Sequence, residues 1–362
     1  MRYKRLLKYA LAFATISAFS ATPALAQTEV HVLDVDQGLS VLVESQGHYM
    51  LYDGGDRDKS SFVVSYLKQQ GVTELDYMIA SHYDADHING LVGALNTTTV
   101  NQVFGPDYTT DTRVFNSFQN TIASKGIPKE QPTVGSTYQL GDATFQILSP
   151  SSSGYSDVND YSIGIRIVDG NNSFLITGDA EADAESEICR TGLPLDSDVY
   201  VMGHHGSGTS TSWDLLQKSA PEYAVLSCGA GNSYGHPHVE SMEKLQSMEI
   251  ELLRTDKQGT IVASTDGSTI TWNVSPCNDY SPGNDDDIPA QPVTQASTQV
   301  SETTNSTVSV STEYILNTSS KKIHYPSCSS VSKMKEKNKK ATSESKDSLI
   351  SQGYSPCGNC KP

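Results

Sequence analysis

The stretch His82-Tyr83-Asp84-Ala85-Asp86-His87 constrains this chain more than any other. An apolar run over residues 75–80 precedes it and reads as a buried strand, and residues 88–95 after it read as the first turns of a helix. Two imidazoles and two carboxylates therefore crowd into one strand-to-helix turn. Carboxylates are rarely buried unless they are paired or hold a metal, so packing alone does not explain the cluster. Two later stretches point the same way. Gly178-Asp179-Ala180 and Gly203-His204-His205-Gly206-Ser207 each follow an expected strand, and strand ends on one rim of a sheet converge in space. Asp179, His204 and His205 are thus natural partners for His82, Asp84, Asp86 and His87. Two divalent metals can share such a set, turning water into a nucleophile near neutral pH and holding the attacking and leaving oxygens of a displacement.

Hydropathy patterning supplies the frame around these turns. Residues 29–53 read as three strands with Gly38 and Gly47 at the turns, followed by a helix over residues 61–70 stopped by Gly71. Further strands are expected at 100–104, 144–148, 163–168, 174–177, 199–202, 224–228, 260–264 and 269–274. Helices are expected at 113–125, 180–190, 212–218 and 239–248. Strand groups followed by helices, twice over, predict an α/β fold of two facing sheets with helices outside.

The ends of the chain differ from its middle. Residues 1–26 carry Arg2, Lys4, Arg5 and Lys8, then an apolar run, then Ala24-Leu25-Ala26, the order of a secretory signal cleaved before Gln27. No later segment approaches the ~18 continuous apolar residues of a membrane span, so the expected product is secreted and extracellular. Residues 27–275 form the large domain and 276–312 a Pro-, Ser- and Thr-rich disordered linker. Residues 313–362 form a module too small for a self-sufficient core. The net charge of -17 sits in the large domain, which excludes a broad phosphate-neutralising surface. A polyanion must be held by metals or by the basic tail. Export permits disulfides, and a Cys189–Cys277 bridge with Cys228 buried and reduced is expected.

The motifs are similar to a known family. His82-Tyr83-Asp84-Ala85-Asp86-His87 resembles the HxDxDH form of the metallo-β-lactamase superfamily signature. Val35-Asp36-Gln37-Gly38, Leu51-Tyr52-Asp53-Gly54-Gly55, Asp86-His87-Ile88-Asn89-Gly90-Leu91, Phe174-Leu175-Ile176-Thr177-Gly178-Asp179-Ala180-Glu181, His204-His205-Gly206-Ser207 and Asn232-Ser233-Tyr234-Gly235-His236-Pro237-His238 together resemble the hydrolase domain of the ComEC/Rec2 competence proteins. The resemblance implies a four-layer αββα sandwich (the metallo-β-lactamase fold) with a dinuclear centre at the sheet rim, and no transmembrane channel. It departs from the family's DVGQGDS turn, present here as Asp34-Val35-Asp36-Gln37-Gly38-Leu39-Ser40. No histidine lies between His87 and His204, so a third-histidine ligand is replaced by the turn Asn159-Asp160-Tyr161-Ser162. Matching positions implies that His82 and Asp84, with Asn159 or Asp160, hold one metal. Asp86, His87 and His205 hold the other, and Asp179 bridges. Asp86, Asp179 and His236 are the catalytic candidates, with His204 and His238 as further metal or substrate contacts and His31 and His48 structural. An oxygen-rich set admits manganese as well as zinc.

The activity implied is that of a secreted phosphodiesterase or nuclease acting on extracellular DNA. An envelope ester hydrolase such as a phosphorylcholine esterase and a non-catalytic surface-binding protein are the competing readings. In the C-terminal module, His324, Cys328, Cys357 and Cys360 have the spacing of a Cys3His structural zinc site and resemble Ada-type zinc-binding modules. Its lysines, Lys333, Lys335, Lys337, Lys339 and Lys340, suit DNA or an anionic cell-wall polymer.

Overall fold

The computed structural model describes residues 28–283 and, toward the C terminus, residues 314–326, 331, 334–342, 344 and 346–357. Chain order begins β1 (Thr28–Val32), β2 (Val41–Ser45), β3 (His48–Tyr52), α1 (Ser60–Gln69), β4 (Glu74–Ile79), α2 (Ala85–Thr97), β5 (Thr99–Phe104), α3 (Arg113–Lys125) and β6 (Lys129–Glu130). It continues with β7 (Thr137–Leu140), β8 (Ala143–Ile147), β9 (Ile165–Asp169), β10 (Asn172–Ile176), α4 (Ala182–Arg190), β11 (Val199–Val201), α5 (Trp213–Ser219) and β12 (Tyr223–Leu226). Last come α6 (Val239–Ser247), β13 (Glu251–Arg254), α7 (Thr255–Gln258), β14 (Ile261–Thr265) and β15 (Ile270–Trp272).

These strands form an eight-stranded sheet, β15-β14-β1-β2-β3-β4-β5-β6, and a seven-stranded sheet, β13-β12-β11-β10-β9-β8-β7. Alternate residues of a strand face opposite sides, which is why one strand serves two cores. Val41 and Val43 of β2 meet Phe145, Ile165 and Phe174 between the sheets. Leu42 of the same strand turns outward with Leu51 and Met78 against Val63, Leu67, Leu91 and Phe118 of α1 to α3. On the other side Leu175, Tyr200 and Leu252 pack against Ile188, Leu215 and Met242 of α4 to α6. The expected four-layer αββα sandwich is the observed one.

Each sheet changes from antiparallel to parallel pairing at one strand. β3, β4 and β5 run parallel through the crossovers α1 and α2, and β10 to β13 run parallel through α4, α5 and α6. Parallel strands send their C-terminal ends to one rim, where crossover loops gather side chains. At that rim the chain crosses itself closely. Gly54 N–H donates to the His87 carbonyl at 2.7 Å and Gly90 N–H to the Gly55 carbonyl at 3.2 Å. A methyl on Gly90 would lie 1.8 Å from the Gly54 oxygen. The glycine is what lets the first turns of α2 press against the end of β3.

The segment after residue 275 differs from expectation. Residues 276–283 are not linker but pack on the domain: Cys277 N–H donates to the Leu252 carbonyl, Tyr280 Oη to the Ile250 carbonyl and Gly283 N–H to the Pro237 carbonyl. The cause is Arg254, 1 % exposed, whose guanidinium needs acceptors and takes the carbonyls of Asp279 and Ser281 at 2.8 and 2.7 Å, besides the Asp256 carboxylate. The expected Cys189–Cys277 disulfide is likewise absent. Cys277 Sγ donates to the Leu252 carbonyl at 3.4 Å while Cys189 is buried with the α4 to α6 core, and Cys228 is a buried thiol as expected.

The described part of the C-terminal unit has β16 (Tyr314–Asn317), β17 (Lys322–His324), β18 (Lys339–Thr342) and β19 (Ser355–Pro356) in the order β18-β16-β17-β19, with a helix at Lys346–Ser351. The buried hydrophobic cluster found there is Tyr314, Leu316, Ile323 and Leu349. The secretory signal at 1–26, the remainder of the linker, Cys328, Lys333 and Cys360 lie outside the described residues.

Gly90→Ala is expected to cost about 2–3 kcal/mol through overpacking and to lower the melting temperature by roughly 5–10 °C. Differential scanning calorimetry of the variant beside Gly93→Ala, whose added methyl would meet the Ser60 Oγ and a Val64 methyl rather than a backbone oxygen, checks this.

Candidate metal centre

The rim gathers residues from both sheets. Asp53 follows β3, Ser81 to His87 join β4 to α2, Asp179 follows β10, the turn Gly203–Gly206 follows β11, and Ser227 follows β12. His82, His87 and Asp179 present ligand atoms within 4.8 Å of one another, and so do Asp86, His87 and His205. His87 belongs to both groups. Asp179 Oδ2 lies 3.2 Å from His87 Nε2 and 3.4 Å from His205 Nε2, where a bridging residue must lie.

Whether these residues fit a cation is answered by their unused atoms. His82 Nε2, His87 Nε2, His205 Nε2 and Asp179 Oδ1 are buried and make no hydrogen bond, although buried polar atoms are nearly always paired. The opposite ring nitrogens explain the orientation of two of them. His87 Nδ1–H donates to Asp53 Oδ2 at 2.7 Å and His205 Nδ1–H to the Ser227 carbonyl at 3.0 Å. Each ring is therefore held with Nε2 aimed into the cluster, the nitrogen on which a cation would take the place of a proton. The donor set fits divalent cations.

Electrostatics agree. Burial opposes charge on His87, yet Asp179, Asp53 and Asp86 raise it well above an ordinary imidazole. Burial likewise opposes charge on His205, and Asp179 with Asp86 lifts it to about 9. Against the same burial penalty, His87 and His205 hold Asp179 and Asp86 below the ordinary carboxylate range. The carboxylates demand positive charge at this point. His82, buried and beside His87, is pushed down to about 3 and offers a neutral ring.

Other expected residues fall into place differently. Asp84 is half exposed, with Oδ2 3.9 Å from His82 Nε2, at the edge of the first group. Asp160 is not aimed at the centre; its Oδ1 accepts from the Glu181 and Ala184 N–H groups at 2.9 and 3.1 Å, because the start of α4 needs acceptors. Asn159 Nδ2 donates to Glu181 Oε1 at 3.4 Å. His204 is the outer member of its pair, with Nδ1 3.2 Å from both Thr209 Oγ1 and Glu181 Oε1. His238 is used structurally, accepting from Gly208 N–H on Nδ1 and meeting the Tyr234 carbonyl through Nε2. His236 stands over the pair, 5.5 Å from the His204 ring and 6.2 Å from His205. Burial and the three neighbouring histidines push it down to about 3, so it stands neutral, as a hydrogen-bonding group rather than a resting proton source. Gln37 Nε2 lies 3.2 Å from its Nδ1. His31 packs against Tyr66 and His48 pairs with Asp76, both away from the rim.

Asp53, part of the Leu51-Tyr52-Asp53-Gly54-Gly55 motif but without a role assigned from sequence, supports the centre. It is fully buried and accepts from Ser81 N–H, Ser81 Oγ–H and His87 Nδ1–H at 2.8, 2.7 and 2.7 Å. The signal was a carboxylate ending an apolar strand. In the separate C-terminal unit, His324 is 4 % exposed with neither ring nitrogen hydrogen-bonded among the described residues, and Cys357 N–H donates to the Ile323 carbonyl beside it.

Asp53→Asn replaces the acceptor of the His87 proton by an amide and is expected to weaken metal binding by about 10–100-fold. Competition titration against a chromophoric chelator measures this, and unchanged affinity would reduce Asp53 to a packing role.

Among proteins of known sequence the chain is similar to ComE operon protein 3 of Bacillus subtilis, 29% identical over 70% of this chain and 35% of that protein. It is similar to competence protein ComA of Neisseria gonorrhoeae, 32% identical over 65% of this chain and 32% of that protein. Recombination protein 2 of Haemophilus influenzae is 32% identical over 64% and 28%. The chain thus spans about a third of the length of these relatives. Among solved structures, the metallo-beta-lactamase fold protein YhfI from Bacillus subtilis superposes with a TM-score of 0.46 at 16% identity, over 66% of this chain and 100% of that one. The family model for the metallo-beta-lactamase superfamily matches residues 33–229, a span that takes in both ligand groups and more than half of the chain, and the chain therefore belongs to that superfamily of hydrolases, related to the competence proteins.

Proposed function

We propose that this chain is an exported, metal-dependent phosphodiesterase that cleaves nucleic acid outside the cell. The observation that carries the reading is the pair of ligand groups that share His87 and flank Asp179, with four buried donor atoms unpaired and aimed inward. His82, His87, Asp179 and the edge residue Asp84 would hold one divalent cation, and Asp86, His87 and His205 a second, zinc or manganese suiting this mixed nitrogen and oxygen set. When bound, such a pair supplies a nucleophile from water at neutral pH and neutralises charge on a phosphoryl group. The rest falls to the chain's own residues. Asp53 and Ser227 fix the ring orientations of His87 and His205. Asp86 places a carboxylate 3.5 Å from His205 Nε2, where it can orient an incoming water. His236, oriented by Gln37, offers a neutral imidazole to the oxygen that leaves. Burial of His82, His87, Asp179 and His205 keeps competing water from these donors.

The test measures metal content and hydrolysis of bis(p-nitrophenyl) phosphate together. Asp86→Ala and Asp179→Ala are expected to lose turnover to background with reduced metal content. His236→Ala should keep its metal and slow by roughly 10²-fold, the loss of one hydrogen bond to the developing charge. Full metal and full activity in both aspartate variants would remove the centre from this place. Hydrolysis confined to carboxylic esters or phosphorylcholine would keep the centre and change the substrate.

We propose in addition that the C-terminal unit is a structural zinc module, His324 and Cys357 joining Cys328 and Cys360. Two ring nitrogens without a hydrogen-bond partner among the described residues, on the buried His324, support it, as does the small hydrophobic cluster of the described residues of this unit. A strong chelator is expected to unfold this unit in the full chain, read by limited proteolysis after residue 313. Persistence of a protected fragment would count against zinc.

A further inference from the structure

A groove of about 640 Å³ opens between α1, α2 and α3, lined by Arg57, Ser60, Ala85, Asn89, Thr112 and Arg113 among others. No carboxylate lines it, in a chain whose net charge is -17. Elsewhere on the domain Lys59 is paired with Asp36, Arg166 with Asp196 and Arg254 with Asp256. Arg57 and Arg113, by contrast, form no ion pair among the described residues. The neighbouring Asp56 carboxylate is engaged by Asn89 Nδ2 at 2.7 Å. Ala85, one of its lining residues, is bonded to Asp84 on one side and Asp86 on the other, so the groove's lining and the metal-ligating turn share the start of α2. Two guanidiniums without an ion pair among the described residues, in a lining that mixes hydroxyl and amide side chains with Val92 and Val114, offer the donors that recognise phosphate.

We infer that this groove holds the backbone of a single-stranded nucleic acid flanking the phosphate at the centre, an inference that rests on the phosphodiesterase reading above. Arg57 and Arg113 would contact successive phosphates while the scissile one lies by Asp84 and Asp86. This resolves the mismatch between an acidic domain and a polyanionic substrate: repulsion is relieved along one track rather than over a broad face. An exposed aromatic favours a nucleic acid over a polyol phosphate. Tyr234 is 65% exposed and stacks on His236 with ring centroids 5.6 Å apart, leaving its outer face for a base.

The test is fluorescence anisotropy of a labelled single-stranded oligonucleotide with uncleavable phosphorothioate linkages, titrated with the full-length protein at several salt concentrations. The double variant Arg57→Ala/Arg113→Ala is expected to bind about tenfold or more weakly, with a salt slope shallower by about 1.4. Arg57→Lys/Arg113→Lys should keep the slope of the wild type. Melting temperature and metal content, read beside it, show that the variants are folded. Equal affinity and slope in wild type and alanine variant would overturn the groove, as would arginine-dependent binding of a glycerol phosphate polymer but not of the oligonucleotide. Hydrolysis of bis(p-nitrophenyl) phosphate by the wild type is read separately. Arginine-dependent oligonucleotide binding without hydrolysis keeps the groove and ends the phosphodiesterase reading. Hydrolysis with arginine-independent binding does the reverse.

Discussion

One buried carboxylate organises the rim of this molecule. Asp53 has no exposed surface, and a charge so placed is tolerated only if donors surround it. Ser81 supplies two and His87 the third. These bonds join the end of β3 to the turn after β4 and fix the ring on which both ligand groups depend. Burial raises the Asp53 pKa, and His87 with Ser81 pulls it back. Losing a partner from such a buried pair typically costs about 3–5 kcal/mol, so support for the site and support for the fold coincide here.

The second sheet answers with a strained turn. His204 and His205 have φ values of 48° and 54°, the left-handed region that costs about 1–3 kcal/mol for a residue other than glycine. Two such residues in succession turn the chain sharply enough to send His205 inward and leave His204 at the mouth. Gly206, at φ 80°, completes the turn, and the His204 amide is tied to the Gly178 carbonyl at 3.1 Å. Asp179 and His205 therefore arrive together, from adjacent parallel strands.

Much of this was legible in the sequence, for definite reasons. The turn from His82 to His87 stands out because four polar groups interrupt two apolar runs, and helices such as α3 announce their ends through Thr112 and Gly126. Asp53 was harder to see, since its partners Ser81 and His87 are 28 and 34 residues away. Asp160 shows a limit of local pattern, since a carboxylate in a turn reads alike whether it faces a cation or, as its Oδ1 does, the N–H groups at the start of α4. β13 escaped notice because Glu251 and Arg254 bound a two-leucine run too short to signal a strand. Its place is set by pairing with β12 and by the segment that Arg254 clamps. Nothing in local pattern marks Gly90, whose requirement is the backbone of Gly54 on another element.

The division of the ligands between sheets has a consequence for how the molecule is made. Asp53, His82, Asp84, Asp86 and His87 belong to the first sheet and its loops, while Asp179, His205 and the Ser227 carbonyl come from the second. A chain emerging from the ribosome presents the first group long before the second. Neither group alone encloses a cation with the full donor set. Completion of the centre thus waits for the last third of the domain, and the nascent chain stays inert until both layers have closed.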